Sequence, residues 1–227
     1  MTAEGQWCLA WMPQQTGMPT RAALDKRAKW DTNIVNVAFL DGDPSVHERI
    51  KPVAKEWCGK DMANLRFIFV KDPKDADIRI SFRYAGSWSV LGKTAREILP
   101  KTEATMNYGW LTPKSTDDEL RRVVLHEFGH ALGLIHEHQN PGGTIPWNRP
   151  QVIRDLSGPP NNWNATTIEH NMFEVYDKSQ TQFTDVDPTS IMMYPIPRNW
   201  VTDPKYAAGL NTGLSKNDRN FIRKQYP

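Results

Sequence analysis

The stretch His126-Glu127-Phe128-Gly129-His130-Ala131-Leu132-Gly133-Leu134-Ile135-His136-Glu137-His138 decides how this chain is read. It spells H-E-x-x-H-x-x-G-x-x-H, three histidines and an acid arranged around a glycine. Successive residues of an α-helix turn by about 100°, so His126 and His130 lie about 40° apart on one face. Two neutral imidazoles one turn apart can grip a single ion, and Glu127 projects near enough to reach a water on it. A continued helix would swing His136 roughly 80° away. The chain must therefore leave the helix first, and Gly133 is the residue best able to turn through positive φ. After that turn His136 comes back as a third ligand. A bare H-E-x-x-H arises by chance in many helices, but here the glycine also stands where the geometry demands it. The reading is a zinc site.

Working outward, Thr116 and Glu119 form a capping-box pattern that opens a helix over about Asp117–Leu132. Leu120, Val123, Val124, Phe128 and Ala131 make its buried face, with Arg121 and Arg122 outside in solvent. Upstream, Asn33–Leu40 reads as a strand, ended by Asp41-Gly42-Asp43-Pro44. A helix capped by Ser45 follows over about Val46–Gly59. Leu65–Val70 and Ala76–Phe82 read as strands, the latter alternating Ile78, Ile80 and Phe82 against Asp77, Arg79 and Ser81. Strand, helix, strand in this order implies a right-handed βαβ unit and a mostly parallel sheet. Tyr84–Leu91 reads as an edge strand or the lip of a cleft, and Ala104–Trp110 as a further short strand.

Downstream of His138 the composition shifts to Asn, Pro, Gly and Thr, with one short helix over about Thr166–Tyr176. Ser215 caps a final helix reaching about Gln225. Residues 1–30 read as an irregular arm and 31–227 as one catalytic domain, with lobes 31–135 and 136–227. The expected fold class is α+β. An N-terminal lobe of twisted mixed sheet and two long helices is followed by an irregular C-terminal lobe that ends in a helix.

The 227 residues suffice for a sizeable core, and 39% apolar with 24% charged residues is ordinary for a soluble globular chain. A net charge of +2 with no basic cluster argues against nucleic acid. No apolar run approaches the ~18 residues of a membrane span. No signal peptide is visible: residues 1–12 carry no Lys or Arg, and Pro13 cuts short the apolar patch around Cys8–Met12. Cys8 and Cys58 permit one disulfide but no framework. Three histidines leave a fourth position on zinc open, the mark of a catalytic site. Zinc would lower the pKa of a water there toward ~7. Glu127 would then take the proton as the water attacks and hand it to the departing amine.

A second signal is Asp187-Pro188-Thr189-Ser190-Ile191-Met192-Met193-Tyr194-Pro195. The long histidine motif followed by a methionine-containing turn resembles the metzincin clan of zinc endopeptidases. Glu137 directly after the third histidine, with Ser190-Ile191-Met192-x-Tyr194, resembles the astacin family within it. The likeness covers roughly residues 33–227, with its specific residues in 126–138 and 190–194. It implies a two-lobe zinc peptidase with one Zn2+ and a protein or peptide substrate. Met192 would pack beneath the histidines, and Tyr194 would act as a switchable zinc ligand that helps stabilise the tetrahedral intermediate.

The likeness also implies that a strand along the cleft binds extended substrate, a role falling to Gly86–Leu91 with Ser87, Trp88 and Ser89. Arg198 would wall the first primed pocket, and Glu137 could hold a mature N-terminus. Astacins usually carry two disulfides, whereas this chain has two cysteines, and Met193 stands where histidine is frequent. Cys8 could serve as a zinc-bound thiolate in a latent form. His47 and His138 read as surface residues, and His170 as lacking a partner.

The function expected is thus that of a secreted or exported zinc endopeptidase working as a monomer, without nucleic acid or membrane partners. The alternatives are a neighbouring metzincin group such as the matrixins or a minimal archaeal and bacterial family, an exported proteolytic effector with one target, and a non-catalytic binding module. Intact His126, His130, His136 and Glu127 argue against the last.

Overall fold

A computed structural model describes residues 27–98, 100–159, 161–175 and 185–227, together with the backbone of 8–11. Its centre is a six-stranded sheet: β1 (Cys8–Trp11), β2 (Ile34–Phe39), β3 (Arg66–Phe69), β4 (Ile78–Ser81), β5 (Ser87–Val90) and β6 (Met106–Tyr108). The spatial order is β1-β5-β6-β4-β2-β3. All pairings are parallel except β5 with β6, which is antiparallel.

The first helix, α1 (Pro44–Ala54), is capped by Asp43, whose carboxylate accepts from the Ser45 N–H. Ser45 is therefore not the cap: Pro44 needs no N–H partner at the first helical position and starts the helix two residues earlier than expected. The motif helix α2 (Asp117–Ala131) begins at Thr116, whose hydroxyl accepts from the Glu119 N–H. Val46, Ile50, Val53 and Trp57 pack with Val35, Val37, Phe67, Val123, Val124 and Phe128 in one core between sheet and helices. A second core gathers Val152, Leu156, Ile168, Met172, Met193, Tyr194, Ile196 and Trp200 in the C-terminal lobe. That lobe holds α3 (Arg149–Ser157), α4 (Ala165–Ile168) continued by a π turn Glu169–Phe173, and α5 (Lys216–Gln225).

Several expectations need correction. Residues 8–11, read as part of an irregular arm, form a strand lying parallel to β5, with Cys8 opposite Ser87 and Trp11 opposite Val90. Consequently β5 is no free edge but is flanked on both sides, and Ser87 and Ser89 are buried. Arg79 does not face solvent as the alternation suggested. It is fully buried, with its guanidinium donating to the carbonyls of Glu103 at 2.7 Å and Ile98 at 3.0 Å. Arg121 forms a forked ion pair with Glu56 instead of lying solvated. Helix α3 went unread because Asn148 and Pro150 look like loop residues, although Pro150 sits in the first helical turn. The short C-terminal helix stops at Phe173, and its expected end at Tyr176 lies outside the described residues.

Candidate metal centre

The three histidines converge where the two cores meet. Helix α2 carries His126 and His130 one turn apart, with ring centroids 4.7 Å apart and planes nearly perpendicular at 89°. The helix then ends in a Schellman turn: Gly133 N–H donates to His130 O at 2.8 Å and Leu134 N–H to Gly129 O at 3.0 Å. Gly133 has φ +91°, a conformation in which side-chain-bearing residues are strained. The turn brings back His136, whose ring lies 4.7 Å from His130 and 5.3 Å from His126.

One ring nitrogen from each histidine lies within 4.8 Å of the others. The geometry of the remaining nitrogens explains why. His126 Nδ1–H donates to Ile191 O at 2.8 Å, and His130 Nδ1–H to Leu134 O at 2.7 Å. These bonds leave the Nε2 lone pairs facing inward, the arrangement that supports metal-ligating histidines. His126 Nε2 is buried with no hydrogen-bond partner among the described residues. His130 Nε2 and His136 Nε2 face each other at 3.2 Å. A buried orphaned acceptor beside two facing imidazole nitrogens is costly without a cation to share, so the donor set fits a zinc ion. Burial pushes all three imidazoles below their usual range, His130 to about 4, which keeps them neutral and ready to ligate.

Glu127 is fully buried beside His126. Glu137 follows the third histidine, and its Oε1 accepts from the Asp187 N–H at 3.0 Å and the Asn140 side-chain amide at 2.9 Å. Burial raises its pKa to about 7. Its own N–H donates to Met192 O at 2.9 Å. The segment 190–194 thus presents one carbonyl to His126 and the next to Glu137. The Met192 side chain lies against Gly129, so close that a Cβ added at Gly129 would sit 2.3 Å from the Met192 sulfur. Tyr194 is buried with its ring 4.2 Å from that of His136. Arg198 begins a 3-10 turn and is exposed. Trp88 is half-buried, its ring 6.0 Å from Tyr84.

Other parts of the site had no local signal. Asp218 of α5 closes the Ser215 capping box and also accepts from Ser190 Oγ at 2.6 Å and Ile191 N–H at 2.9 Å. Trp30 donates its indole N–H to Ala131 O at 2.6 Å, and Tyr226 its hydroxyl to Leu132 O at 2.8 Å, clamping the end of α2. His138, expected at the surface, is 3% exposed and stacks on Tyr194 at 4.6 Å. His47 is half-buried and stacks on Phe39 at 3.9 Å. His170 does have a partner, the Glu174 carboxylate at 2.7 Å. Cys58 is a free thiol whose pKa burial pushes up to about 12. The thiolate role considered for Cys8 concerns a side chain outside the described residues.

No family model matches the sequence. Among solved structures the chain is similar to myroilysin, at 39% identity over 90% of this chain and 98% of that one, with a TM-score of 0.84. The chain belongs to the family of myroilysin. Its fold is accordingly that of a metzincin. A second myroilysin structure matches at 37% identity over 99% of this chain and 92% of the other, with a TM-score of 0.69. The zinc metalloproteinase nas-24 of Caenorhabditis elegans is 26% identical over 172 residues, and serralysin of Photorhabdus luminescens 32% identical over 103. These alignments take in 71% and 40% of this chain, but only 39% and 20% of the lengths of those two proteins. Among the described residues, no helix is long and apolar enough to cross a membrane.

Proposed function

We propose that the chain is an astacin-like zinc endopeptidase that hydrolyses peptide bonds in extended polypeptides. The observation that carries this reading is the convergence of three neutral imidazoles, one with an orphaned buried nitrogen, beside the buried carboxylate of Glu127. His126, His130 and His136 would hold one ion, which when bound supplies Lewis acidity and an activated water at its open position. Glu127 takes up a proton as the attacking oxygen reaches the scissile carbonyl, then returns it to the departing amine. Tyr194, packed against His136, offers a phenolic O–H to the oxyanion of the tetrahedral intermediate. The turn Ser190–Tyr194 holds His126 and Glu137 through its carbonyls, consistent with a supporting role for Met192 and Glu137.

Extended substrate would add as a strand to β5, along Ser87–Val90, on the side now held by β1. Access for such a substrate requires β1 to move away. Arg198, exposed after the turn, would favour an acidic residue in the first primed position. The site of action we infer is outside the producing cell, with the protein a monomer.

The test is hydrolysis of casein by purified, zinc-loaded protein, repeated with a chelator and with Glu127→Ala. Cleavage abolished by both, with zinc retained in Glu127→Ala, is the expected result. Absence of cleavage by folded protein carrying one zinc, after removal of residues 1–26, would overturn the general endopeptidase reading. It would favour an effector acting on one target or a binding module.

A further inference from the structure

We propose that His138 is a positioning residue for Tyr194, its ring forming with that of His136 a fixed corner into which the phenol packs. This rests on the reading of Tyr194 as the oxyanion donor. His138 lies two residues past the third ligand, on the turn Glu137–Gln139. Its ring stacks on Tyr194 with centroids 4.6 Å apart and planes 26° from parallel. Tyr194 also meets His136 at 4.2 Å with planes 48° apart, and His136 and His138 themselves stack at 5.4 Å. The three rings form a triangle, and the phenol packs into the corner made by the two imidazoles.

The wall is itself braced. His138 Nε2–H donates to Asn171 O at 2.7 Å, and the neighbouring Gln139 side chain donates to His170 O at 2.8 Å. Trp147 approaches edge-on at 6.3 Å. The turn is thus tied to the π turn Glu169–Phe173 at two points. His138 Nδ1 is buried with no hydrogen-bond partner among the described residues. An apolar ring would fill the space without that cost, and an exposed histidine would not incur it. What histidine adds is a flat ring anchored at its tip, which cannot rotate away from Tyr194. A hydroxyl meant for a developing oxyanion must stay within about 2.7–3.1 Å of it. Packing into a corner whose His138 wall is braced is the means by which this fold limits the swing of the phenol.

The experiment compares His138→Ala, His138→Phe, Tyr194→Phe and the double variant His138→Ala/Tyr194→Phe. Readouts are kcat, KM, bound zinc, and affinity for a phosphinic pseudopeptide that mimics the tetrahedral intermediate. His138→Ala should lower kcat and phosphinate affinity together by about 3- to 10-fold, with KM and zinc content unchanged. His138→Phe keeps the ring but not its anchor to Asn171, so its kcat should lie between those of the parent and the alanine variant, and it also serves if the alanine variant does not fold. In the Tyr194→Phe background, removing His138 should cost nothing more. An equal loss with and without the Tyr194 hydroxyl would overturn the proposal, as would a phenylalanine variant as impaired as alanine. Unchanged kcat in Tyr194→Phe alone would instead sink the reading of Tyr194, and the proposal with it.

Discussion

Replacing Asp218 with alanine should loosen the metal centre from a distance. Asp218 touches no histidine. Its carboxylate holds Ser190 Oγ and Ile191 N–H, and the Ile191 carbonyl in turn receives His126 Nδ1–H. In the alanine variant the Ser190 hydroxyl and Ile191 N–H, both in residues about 2% exposed, lose their acceptor. Two buried donors left unpaired cost roughly 2–6 kcal/mol. The lost cap on α5 adds about 1 kcal/mol. A domain of ordinary stability, about 5–15 kcal/mol, survives a loss near the lower end of that sum. The freed turn no longer fixes the His126 carbonyl partner, and zinc affinity should fall by about 10- to 100-fold, as for other outer partners of ligating histidines.

Asparagine at 218 makes the contrast. Burial raises the pKa of Asp218, so its charge is held at a cost that a neutral amide avoids. With Oδ1 serving Ile191 N–H and Nδ2 donating to Ser190 Oγ, Asp218→Asn should stay within about 1 kcal/mol of the parent stability. Zinc affinity by chelator competition, with urea unfolding of the zinc-free proteins, tests both. An alanine variant that binds zinc within twofold of the parent would refute the relay.

Other outcomes follow from the same geometry. Gly129→Ala gains about 1 kcal/mol of helix propensity but forces the Met192 sulfur aside at 2.3 Å, an overpacking cost of about 1–3 kcal/mol. A small net loss in urea unfolding is expected, relieved when Met192 is also shortened to alanine. In zinc-free protein, His130 and His138 titrate at about 4 against 6.5 when exposed, so the folded state binds fewer protons than the unfolded one. Their contribution is present above about pH 6.5 and is lost as pH falls toward 4, each costing about 2 kcal/mol by about pH 5. An unfolding midpoint that does not drop between about pH 7.5 and about pH 5 would contradict this. Removing residues 1–26 bares β5 and should raise kcat/KM on an unfolded protein at least about tenfold, equivalent to ~1.4 kcal/mol. An equal or lower kcat/KM would count against substrate pairing along β5.

What could be read from the chain beforehand was what depends on near neighbours. Thr116 starts α2 and Gly133 ends it within a few residues of the histidines, so the spacing alone specified two imidazoles on one face, a turn and a third imidazole beside them. Contacts between distant residues left no such trace. The carbonyls of Ile191 and Leu134 that orient His126 and His130 are backbone groups, and no residue type announces them. His138 is buried because Asn171 and Tyr194 close over it, 33 and 56 residues further along. Strand β1 exists through its pairing with β5, so its short apolar patch looked like part of an arm. Arg79 followed an alternating pattern, yet carbonyls supplied by Glu103 and Ile98 made a buried guanidinium tolerable.

The clamp on the end of α2 bears on the order in which the molecule assembles. A helix of this length forms within about a microsecond, carrying His126 and His130 with it. Its final carbonyls wait for Trp30 and Tyr226, across separations of 101 and 94 residues, and the His126 partner lies 65 residues downstream. Closures of such span are slow. An ion met early therefore finds two imidazoles on a frayed helix, free to turn and weakly held. Tight metal capture belongs to the end of folding, when the distant segments have docked, and its rate reports completion of the whole domain.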